Sequence, residues 1–232
     1  MGVQILLTGF GPFGAVIHNP SQRLVRYFGR HPVEGIGLTA ITLPVSYIQA
    51  PCTVEALVRQ RAEIGHPFDY ILMLGVAANS SFWRVERKAH NWVSDKLDVD
   101  ETRLAPGPIA PEAPATLEAT LPVQQIVEAL ERCGIPACLS DDAGDYLCNY
   151  LFFRVLHLLQ QLPTSPPAGF LHIPADESTF RVPSPQHAPG FPFEQHVLAV
   201  ETVLRTLASL STVRGTEAGT IFGGKEMRDE RI

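Results

Sequence analysis

The chain has 232 residues, of which 45% are hydrophobic and 18% are charged, and its formal net charge is −6 at pH 7. This length predicts one soluble domain with a full core, and no apolar run reaches the roughly 18 residues that a membrane-spanning helix needs. The acidic balance and the absence of a basic block argue against nucleic acid as the main partner, because phosphate binding needs clustered Lys and Arg.

The N-terminal segment and the cysteines predict where the protein works. The run from Met1 to Ile5 lacks the basic region of a signal peptide and leads directly into a strand, which predicts a cytoplasmic protein. The four cysteines form no CxxC pair and no zinc-site spacing, so free thiols and no metal are expected. Three of them, Cys52, Cys133 and Cys138, lie in or beside apolar elements, where packing is the expected role.

Strands and helices alternate along the chain. Strands are predicted at 3–7, 37–43, 69–74, 80–91, 137–140 and 169–174, and helices at 20–29, 51–64, 122–134, 146–159 and 193–211. The third strand is apolar almost throughout, so both of its faces are expected to be covered by helices. The order predicts an α/β fold, a single-domain sandwich with a largely parallel twisted sheet and helices on both faces.

Two proline-rich stretches interrupt this alternation, at 105–115 and 175–192. Both are predicted to be surface loops, and the first is expected to be mobile, because so many prolines hold neither a helix nor a central strand. The first stretch would also suit a domain boundary, but the alternation resumes unchanged after it, so residues 1–212 are predicted to form a single α/β domain. Residues 213–232 show no periodicity and are predicted to be a weakly ordered C-terminal tail.

The candidate chemistry converges on one edge of the predicted sheet. Ligands of parallel sheets bind at the carboxyl ends of the strands. The loop after Leu7, the loop after Leu74, the turn before Cys148 and the end of the strand that holds His172 are all predicted to lie there. A functional site is therefore expected at this edge.

Cys148 is the first candidate, because it falls in the first turn of a helix predicted to be buried on nearly all sides. Unpaired backbone N–H groups and the positive end of the helix dipole stabilise an anion there and so favour a nucleophilic thiolate. Asp145, at the end of the turn before it, has two expected roles: it caps the helix, or its charge disfavours ionisation of the thiol. The alternative role of Cys148 is that of a small core residue, since unbridged cysteines are often buried.

A cysteine nucleophile needs a base, and His172 stands at the expected edge. His157, nine residues after Cys148 on the same helix, faces the opposite side and is excluded. The remaining six histidines are predicted to be solvated: His18, His31, His66, His90, His187 and His196. From pattern alone, His172 fits a core role and a functional role equally well.

Carboxylates supply the third candidate group. Glu86 could orient an imidazole, but Arg84, Arg87 and Lys88 flank it, so a surface salt-bridge ladder explains it equally well. A separate acidic cluster is predicted to be a solvated face rather than a metal site, since it lacks EF-hand spacing: Asp95, Asp98, Asp100 and Glu101.

Four sequence blocks, in order, resemble the type I pyroglutamyl peptidases, also called pyrrolidone-carboxylate peptidases. They are residues 7–14 (LTGFGPFG) with Asn19-Pro20, residues 85–87 (VER) with Asn91, residues 143–149 (AGDYLCN), and residues 169–174 (GFLHIP). Each block alone is a weak signal, but four in register are specific. They span positions 7 to 174.

The resemblance implies an α/β sandwich with a catalytic triad of Cys148, His172 and Glu86. It implies removal of an N-terminal pyroglutamate from peptides, no cofactor, and a homo-oligomer, either dimer or tetramer. Phe10 and Phe13 would then pack against the flat lactam ring, and Asn19 belongs to the same expected substrate-binding group.

The chain departs from the family pattern at several positions. Asp145 stands where many members have Thr or Ser, the segment 92–98 lacks the family's Asp-Ala-Arg-Ile-Pro-Asp pattern, and Val76 replaces a common glutamine. These departures leave a second hypothesis open, a non-catalytic α/β homologue that binds a small molecule or peptide. An amidotransferase-type hydrolase is disfavoured, because no glycine adjoins Cys148.

Overall fold

The structure is a computed structural model that describes residues 2–163, 165–182 and 190–220. Its strands are β1 (Val3–Phe10), β2 (Ile36–Leu43), β3 (Tyr70–Ala77), β4 (Trp83–Glu86), β5 (Lys88–His90), β6 (Thr116–Glu118), β7 (Ala137–Ser140) and β8 (Ala168–Pro174). Its helices are α1 (Pro20–Phe28), α2 (Gln49–Glu63), α3 (Val123–Arg132), α4 (Leu147–Leu159) and α5 (Phe193–Thr220). Every helix within these described ranges is too short or too polar to span a lipid bilayer.

The central sheet has six strands in the order β2-β1-β3-β8-β4-β7. β2, β1, β3 and β8 are parallel, while β4 is antiparallel to β8 and parallel to β7. The predicted α/β fold with a mostly parallel sheet is confirmed. β4 and β7 run against the other four strands, a reversal that the alternation of strands and helices did not indicate.

Helices cover both faces of the sheet, as the apolarity of the strands predicts. Ile5 of β1 packs in a core with Leu24 of α1 and Val203 of α5. The neighbouring Leu6 points to the other face and packs in a second core with Leu151 of α4. Successive strand residues face opposite sides, so one strand contributes to two cores.

The start of α1 shows how local chemistry sets an element boundary. Asn19 precedes the helix, and its side-chain oxygen accepts a hydrogen bond from the Ser21 backbone N–H at 3.1 Å. Pro20 fills the first helical position, where its missing N–H costs nothing. The predicted helix start at Asn19-Pro20 is therefore correct.

The predicted strand at 80–91 is two strands in two different sheets. The chain leaves the central sheet after Glu86 and pairs again as β5, whose antiparallel partner β6 follows the first proline-rich loop. The loop is held from inside by Asn91, which donates to the carbonyls of Ala110 at 2.7 Å and Ala113 at 3.1 Å. These hydrogen bonds fix two carbonyl groups of a loop that was expected to be mobile.

The last helix also differs from its predicted end at Ser211, because the helical backbone continues to Thr220. The rest of the predicted tail, 221–232, lies outside the described residues, as does the part of the second proline-rich loop at 183–189 that contains His187.

Several predictions about single side chains were wrong. Cys52, Cys133 and Cys138 are exposed rather than packed. Asp98 of the acidic cluster is only 7% exposed, and its carboxylate accepts hydrogen bonds from the backbone N–H groups of Tyr47, Asp100 and Thr102. Asp98 therefore organises its loop instead of belonging to a solvated face.

His196 is fully buried on α5, although it was predicted to be solvated. It lies four residues before Val200 on the apolar face of the helix, with its ring 4.7 Å from that of Phe191 and 5.4 Å from that of Trp83. Burial lowers the pKa of His196 to about 4. The ring is therefore neutral in the folded protein near pH 7.

This burial predicts a loss of stability in acid. The unfolded chain takes up a proton at His196 below pH ~6.5, whereas the folded chain does so only near pH 4, so stability is lost as the pH falls through that window. Replacing His196 with Phe should reduce the loss. Thermal unfolding of both proteins at pH 7 and pH 4.5 measures it, and an equal drop in melting temperature would contradict the prediction.

Candidate active site

The three candidate side chains come from three different elements of the fold. Cys148 is in the first turn of α4, His172 is in β8, and Glu86 is the last residue of β4. In the sheet, Gly75 of β3 is paired with His172, and the Cys148 sulfur lies beside Gly75. The thiol and the imidazole therefore meet near the carboxyl ends of β3 and β8, the predicted edge.

His172 and Glu86 form a buried hydrogen-bonded pair. The Nδ1 atom of His172 is 2.8 Å from Oε1 of Glu86, and the two residues are 6% and 0% exposed. Arg84, two residues before Glu86 on the same face of β4, lies 3.0 Å from the same oxygen. The hypothesis that Glu86 belongs to a salt-bridge ladder on the surface is therefore wrong, because its carboxylate is fully buried.

The reversed direction of β4 produces this pairing. In the antiparallel register Arg84 is opposite His172 and Glu86 is opposite Phe170. Residues two apart on a strand share a face, so Arg84 and Glu86 face the same side of the sheet as His172. The Glu86 carboxylate therefore reaches the Nδ1 side of the ring and leaves Nε2 for Cys148.

The partners of His172 favour its protonated form. Burial by itself lowers the pKa of His172, but the charge of Cys148, a hydrogen-bonding interaction with it and the Glu86 carboxylate together raise that pKa to about 9. An imidazolium between a carboxylate and a sulfur atom stabilises a thiolate by Coulomb attraction. The arrangement therefore keeps His172 protonated at neutral pH, with its ring beside the sulfur of Cys148.

The start of α4 is left open toward the thiol. Tyr146 precedes the helix, and no side chain caps it. The first N–H groups of a helix have no partner within the helix, so those of Leu147 and Cys148 are available to hold a negatively charged oxygen. The predicted capping role of Asp145 is wrong: its carboxylate forms an ion pair with Lys96 instead.

Asn149 joins the helix of Cys148 to the segment that follows Glu86. It is fully buried, and its side-chain oxygen accepts from the His90 N–H at 2.8 Å. Its amide nitrogen donates to the carbonyls of His90 at 2.8 Å and Trp92 at 2.9 Å. One side chain therefore fixes the first turn of α4 against β5.

The Cys148 thiol lies so close to residue 75 that only glycine fits there. A Cβ atom at residue 75 would lie 2.7 Å from the Cys148 sulfur and 2.7 Å from the ring of Phe170. Both distances are shorter than van der Waals contact allows, so any side chain there displaces the sulfur or the core ring.

Replacing Gly75 with Ala is therefore expected to lower catalytic activity at least ~10-fold and to cost about 1–3 kcal/mol of stability through overpacking. Steady-state kinetics and thermal unfolding measure the two effects separately. Unchanged activity together with an unchanged rate of Cys148 alkylation would show that the sulfur does not need this space.

The expected substrate-binding residues differ in accessibility. Phe10 is 3% exposed and Asn19 is 1% exposed, so both lie inside the fold. The Asn19 amide donates to the Gly11 carbonyl at 3.0 Å and thereby shapes the loop after β1. Phe13 is partly exposed, and its ring lies 6.3 Å from that of Tyr146, next to the start of α4.

A cleft of about 640 Å³ opens beside the turn that leads to Cys148. Its lining consists of His90, Trp92, Asp141, Asp142, Gly144 and Asp145. Over residues 2–163, 165–182 and 190–220, no group of three or more His, Cys, Asp or Glu side chains is arranged to hold a metal ion.

Sequence patterns missed three residues around the thiol. In the sequence, Gly75 indicated only the end of a strand. Asn149 belonged to a motif but had no assigned role, and no role was predicted for Lys96. Lys96 and Asp145 form an ion pair. The only indication of it in the sequence is that both segments differ from the family pattern. None of these contacts is local in sequence.

The site combines a thiol at an uncapped helix start with an imidazole and a buried carboxylate on an α/β sheet. This combination is typical of cysteine hydrolases. The sequence model of the pyroglutamyl peptidase family matches residues 3–209 of the chain. The chain belongs to the pyroglutamyl peptidase family, and the resemblance of its four motif blocks is confirmed.

Individual relatives agree with this assignment. Pyrrolidone-carboxylate peptidase from Thermococcus litoralis is 37% identical over 172 residues, which are 74% of this chain and 76% of the relative. The Bacillus licheniformis enzyme of the same name is 33% identical over 187 residues, 80% of this chain and 85% of the relative.

Solved structures show the same fold. Pyrrolidone carboxyl peptidase from Thermococcus litoralis superposes with a TM-score of 0.80 at 28% identity, covering 99% of this chain and 100% of the other. Pyroglutamyl peptidase I from Bacillus amyloliquefaciens gives 0.78 at 25% identity, covering 90% and 96%.

Proposed function

We propose that the protein is a cysteine-type omega peptidase that removes N-terminal pyroglutamate from peptides, with Cys148, His172 and Glu86 as its catalytic triad. The observation that carries the proposal is the Cys148 thiol beside His172, whose other ring nitrogen is 2.8 Å from the buried Glu86. Membership in the pyroglutamyl peptidase family supports the substrate class.

The reaction proceeds through an acyl-enzyme. The Cys148 thiolate attacks the carbonyl carbon that links pyroglutamate to the next residue, and the C–N bond breaks as His172 donates a proton to the leaving amine. His172 then takes a proton from water, whose oxygen attacks the thioester and releases pyroglutamate. Glu86 holds the imidazole in the required orientation and stabilises its cation.

Backbone groups stabilise the charge that develops during both steps. The tetrahedral intermediate carries a negative oxygen, and the uncapped start of α4 offers the N–H groups of Leu147 and Cys148. The helix dipole adds to this effect because its positive end lies at the same place. No cofactor is needed for this chemistry.

The lactam ring is bound by the loop after β1. Phe13, with its partly exposed ring beside Tyr146, contacts the flat face of the lactam. Phe10 and Asn19 are buried, so they contribute to substrate binding by supporting the shape of the loop. A pyroglutamyl terminus has no free amine, so this apolar surface needs no carboxylate partner for a cation.

The proposal is tested with a chromogenic amide of pyroglutamate and the reduced, purified protein. We expect release of the amine, and we expect no release from the matching prolyl amide, which lacks the lactam carbonyl. Absence of turnover by protein whose Cys148 still reacts with an alkylating agent would favour the non-catalytic binding homologue instead.

The catalytic domain proposed here comprises residues 1–212, and we propose that the protein works in the cytoplasm as a homo-oligomer, either dimer or tetramer. All four cysteines are free, and a reducing compartment keeps such thiols unbridged. Exposed Ile48, Leu97 and Val99 lie on adjoining loops, the kind of apolar surface that a second copy covers. Light scattering on the purified protein measures the oligomeric state.

A further inference from the structure

The segment of residues 92–98 is fastened to the turn that starts α4. The backbone N–H and the hydroxyl of Ser94 both donate to the Asp145 carbonyl at 3.0 Å. The Tyr146 hydroxyl donates to the Leu97 carbonyl at 2.7 Å. Lys96 completes the contact through its ion pair with the Asp145 carboxylate.

The same segment is anchored from its other side. The Tyr47 hydroxyl donates to the Lys96 carbonyl at 3.1 Å, and its backbone N–H donates to the buried Asp98 at 2.9 Å. The ring of Tyr47 lies 5.8 Å from that of Tyr146 in an edge-on arrangement. Lys96 is thus held beside the turn by fixed backbone contacts on both sides.

The charge of Asp145 has a consequence for the thiol. Asp145 stands three residues before Cys148, in the turn that leads into α4, and a negative charge close to a thiol disfavours its ionisation. The interaction with Lys96 lowers the pKa of Asp145, so the carboxylate is charged at neutral pH. Lys96 supplies the opposite charge at the same place.

We infer that Lys96 is a positioning residue whose charge offsets that of Asp145 and so preserves the thiolate of Cys148. The inference rests on the proposed function, since it assigns a role within the same site. It explains why the chain carries an aspartate beside its nucleophile: the unfavourable charge comes with a paired lysine. Lys96 acts through Asp145 and need not touch substrate.

Other titratable and charged groups surround the first turn of α4, and the test leaves them unchanged. They are Tyr146 at the helix start, His172 on β8, Glu86 and Arg84 on β4, His90 on β5, Asp98 in the 92–98 segment, Asp141 and Asp142 in the preceding turn, and Tyr47 before α2. Differences between variants at Lys96 and Asp145 therefore report on that pair.

The experiment follows the pH dependence of iodoacetamide alkylation at Cys148. Peptide mass spectrometry measures it, because Cys52, Cys133 and Cys138 are exposed and also react with the reagent. Lys96→Met should move the midpoint up by about half a pH unit, equivalent to about three-fold less thiolate below the midpoint. Asp145→Asn should leave it unchanged or lower it. The double variant should return close to the wild type.

Two controls separate charge from structure. Arg103→Met removes a comparably exposed ion pair with Asp95 on the same loop and should leave the midpoint unchanged. Lys96→Arg should retain the wild-type midpoint. Raising the salt from about 0.1 M to about 1 M should shrink the Lys96→Met shift, because screening shortens the range of exposed charges from about 10 Å to about 3 Å.

The outcome decides the inference in either direction. An unshifted midpoint in Lys96→Met, or a double variant that stays shifted like Lys96→Met, would overturn it. Melting temperatures show that each variant is folded. Alkylation requires no peptide substrate, so failure of the pyroglutamyl amide assay with a shifted Lys96→Met midpoint would overturn the proposed function and leave this inference standing.

Discussion

Replacing Cys148 with Ser is expected to lower kcat/KM for a pyroglutamyl amide by at least about 10⁴-fold, because a serine hydroxyl remains protonated where the thiol can ionise. The exchange of sulfur for oxygen changes little in volume, and the site beside Gly75 already accommodates the larger atom. The melting temperature should therefore change by no more than a few degrees. Steady-state kinetics on the reduced proteins measures the loss.

Cys138→Ser is the matched control, because it removes an exposed thiol from β7 and should leave kcat/KM unchanged. Retention of most of the activity in Cys148→Ser would exclude Cys148 as the nucleophile. Equal losses in both variants would point to a general requirement for thiols and would also contradict the assignment.

Replacing Glu86 with Gln is the second large effect, with an expected loss of about 10²- to 10⁴-fold in kcat/KM. The carboxylate oxygen lies 2.8 Å from Nδ1 of His172 and accepts a hydrogen bond from that N–H, whereas an amide can donate there and reverse the tautomer of the ring. Cys148 would then lie beside a His172 ring in the wrong tautomer. The imidazolium form of that ring would also lose the carboxylate that stabilises it.

The same substitution should change the pH profile. The wild-type kcat/KM should fall as the pH rises above about 9, where His172 loses its proton. Glu86 is one of the groups that raise this pKa, so the alkaline limb of Glu86→Gln should lie at lower pH. Glu118→Gln, at an exposed position of β6, is the control and should keep the wild-type limb. An identical limb in Glu86→Gln would show that Glu86 does not act on His172.

The sequence predicted most elements because local signals mark their ends. Asn19-Pro20 begins α1, the apolar run at 69–74 becomes β3, and the dense apolar segment after Tyr146 becomes α4. The three triad residues were selected by their motifs, and the structure places Cys148 and Glu86 on either side of His172. Their roles in catalysis remain predictions until the variants are measured.

The direction of β4 could not be predicted, because alternation along a strand shows which residues share a face but not which strand pairs with it. The antiparallel pairing with β8 is what buries Glu86. The ion pair that withdraws Asp145 from helix capping is also a contact between distant segments.

His196 is a different case, because its spacing from Val200 and Leu204 already placed it on the apolar face of α5. Its polar side chain outweighed that spacing in the prediction, although helix periodicity was the stronger signal. The correct inference was available from the sequence in this instance.

The buried Asn149 side chain has a consequence for local opening. It holds the backbone N–H and C=O of His90 and the C=O of Trp92, so the first turn of α4 cannot separate from β5 without breaking all three bonds. In hydrogen–deuterium exchange, the amide of His90 should open together with the start of α4, as one cooperative unit. Asn149→Ala should uncouple the two, and independent exchange in the wild type would show that no such unit exists.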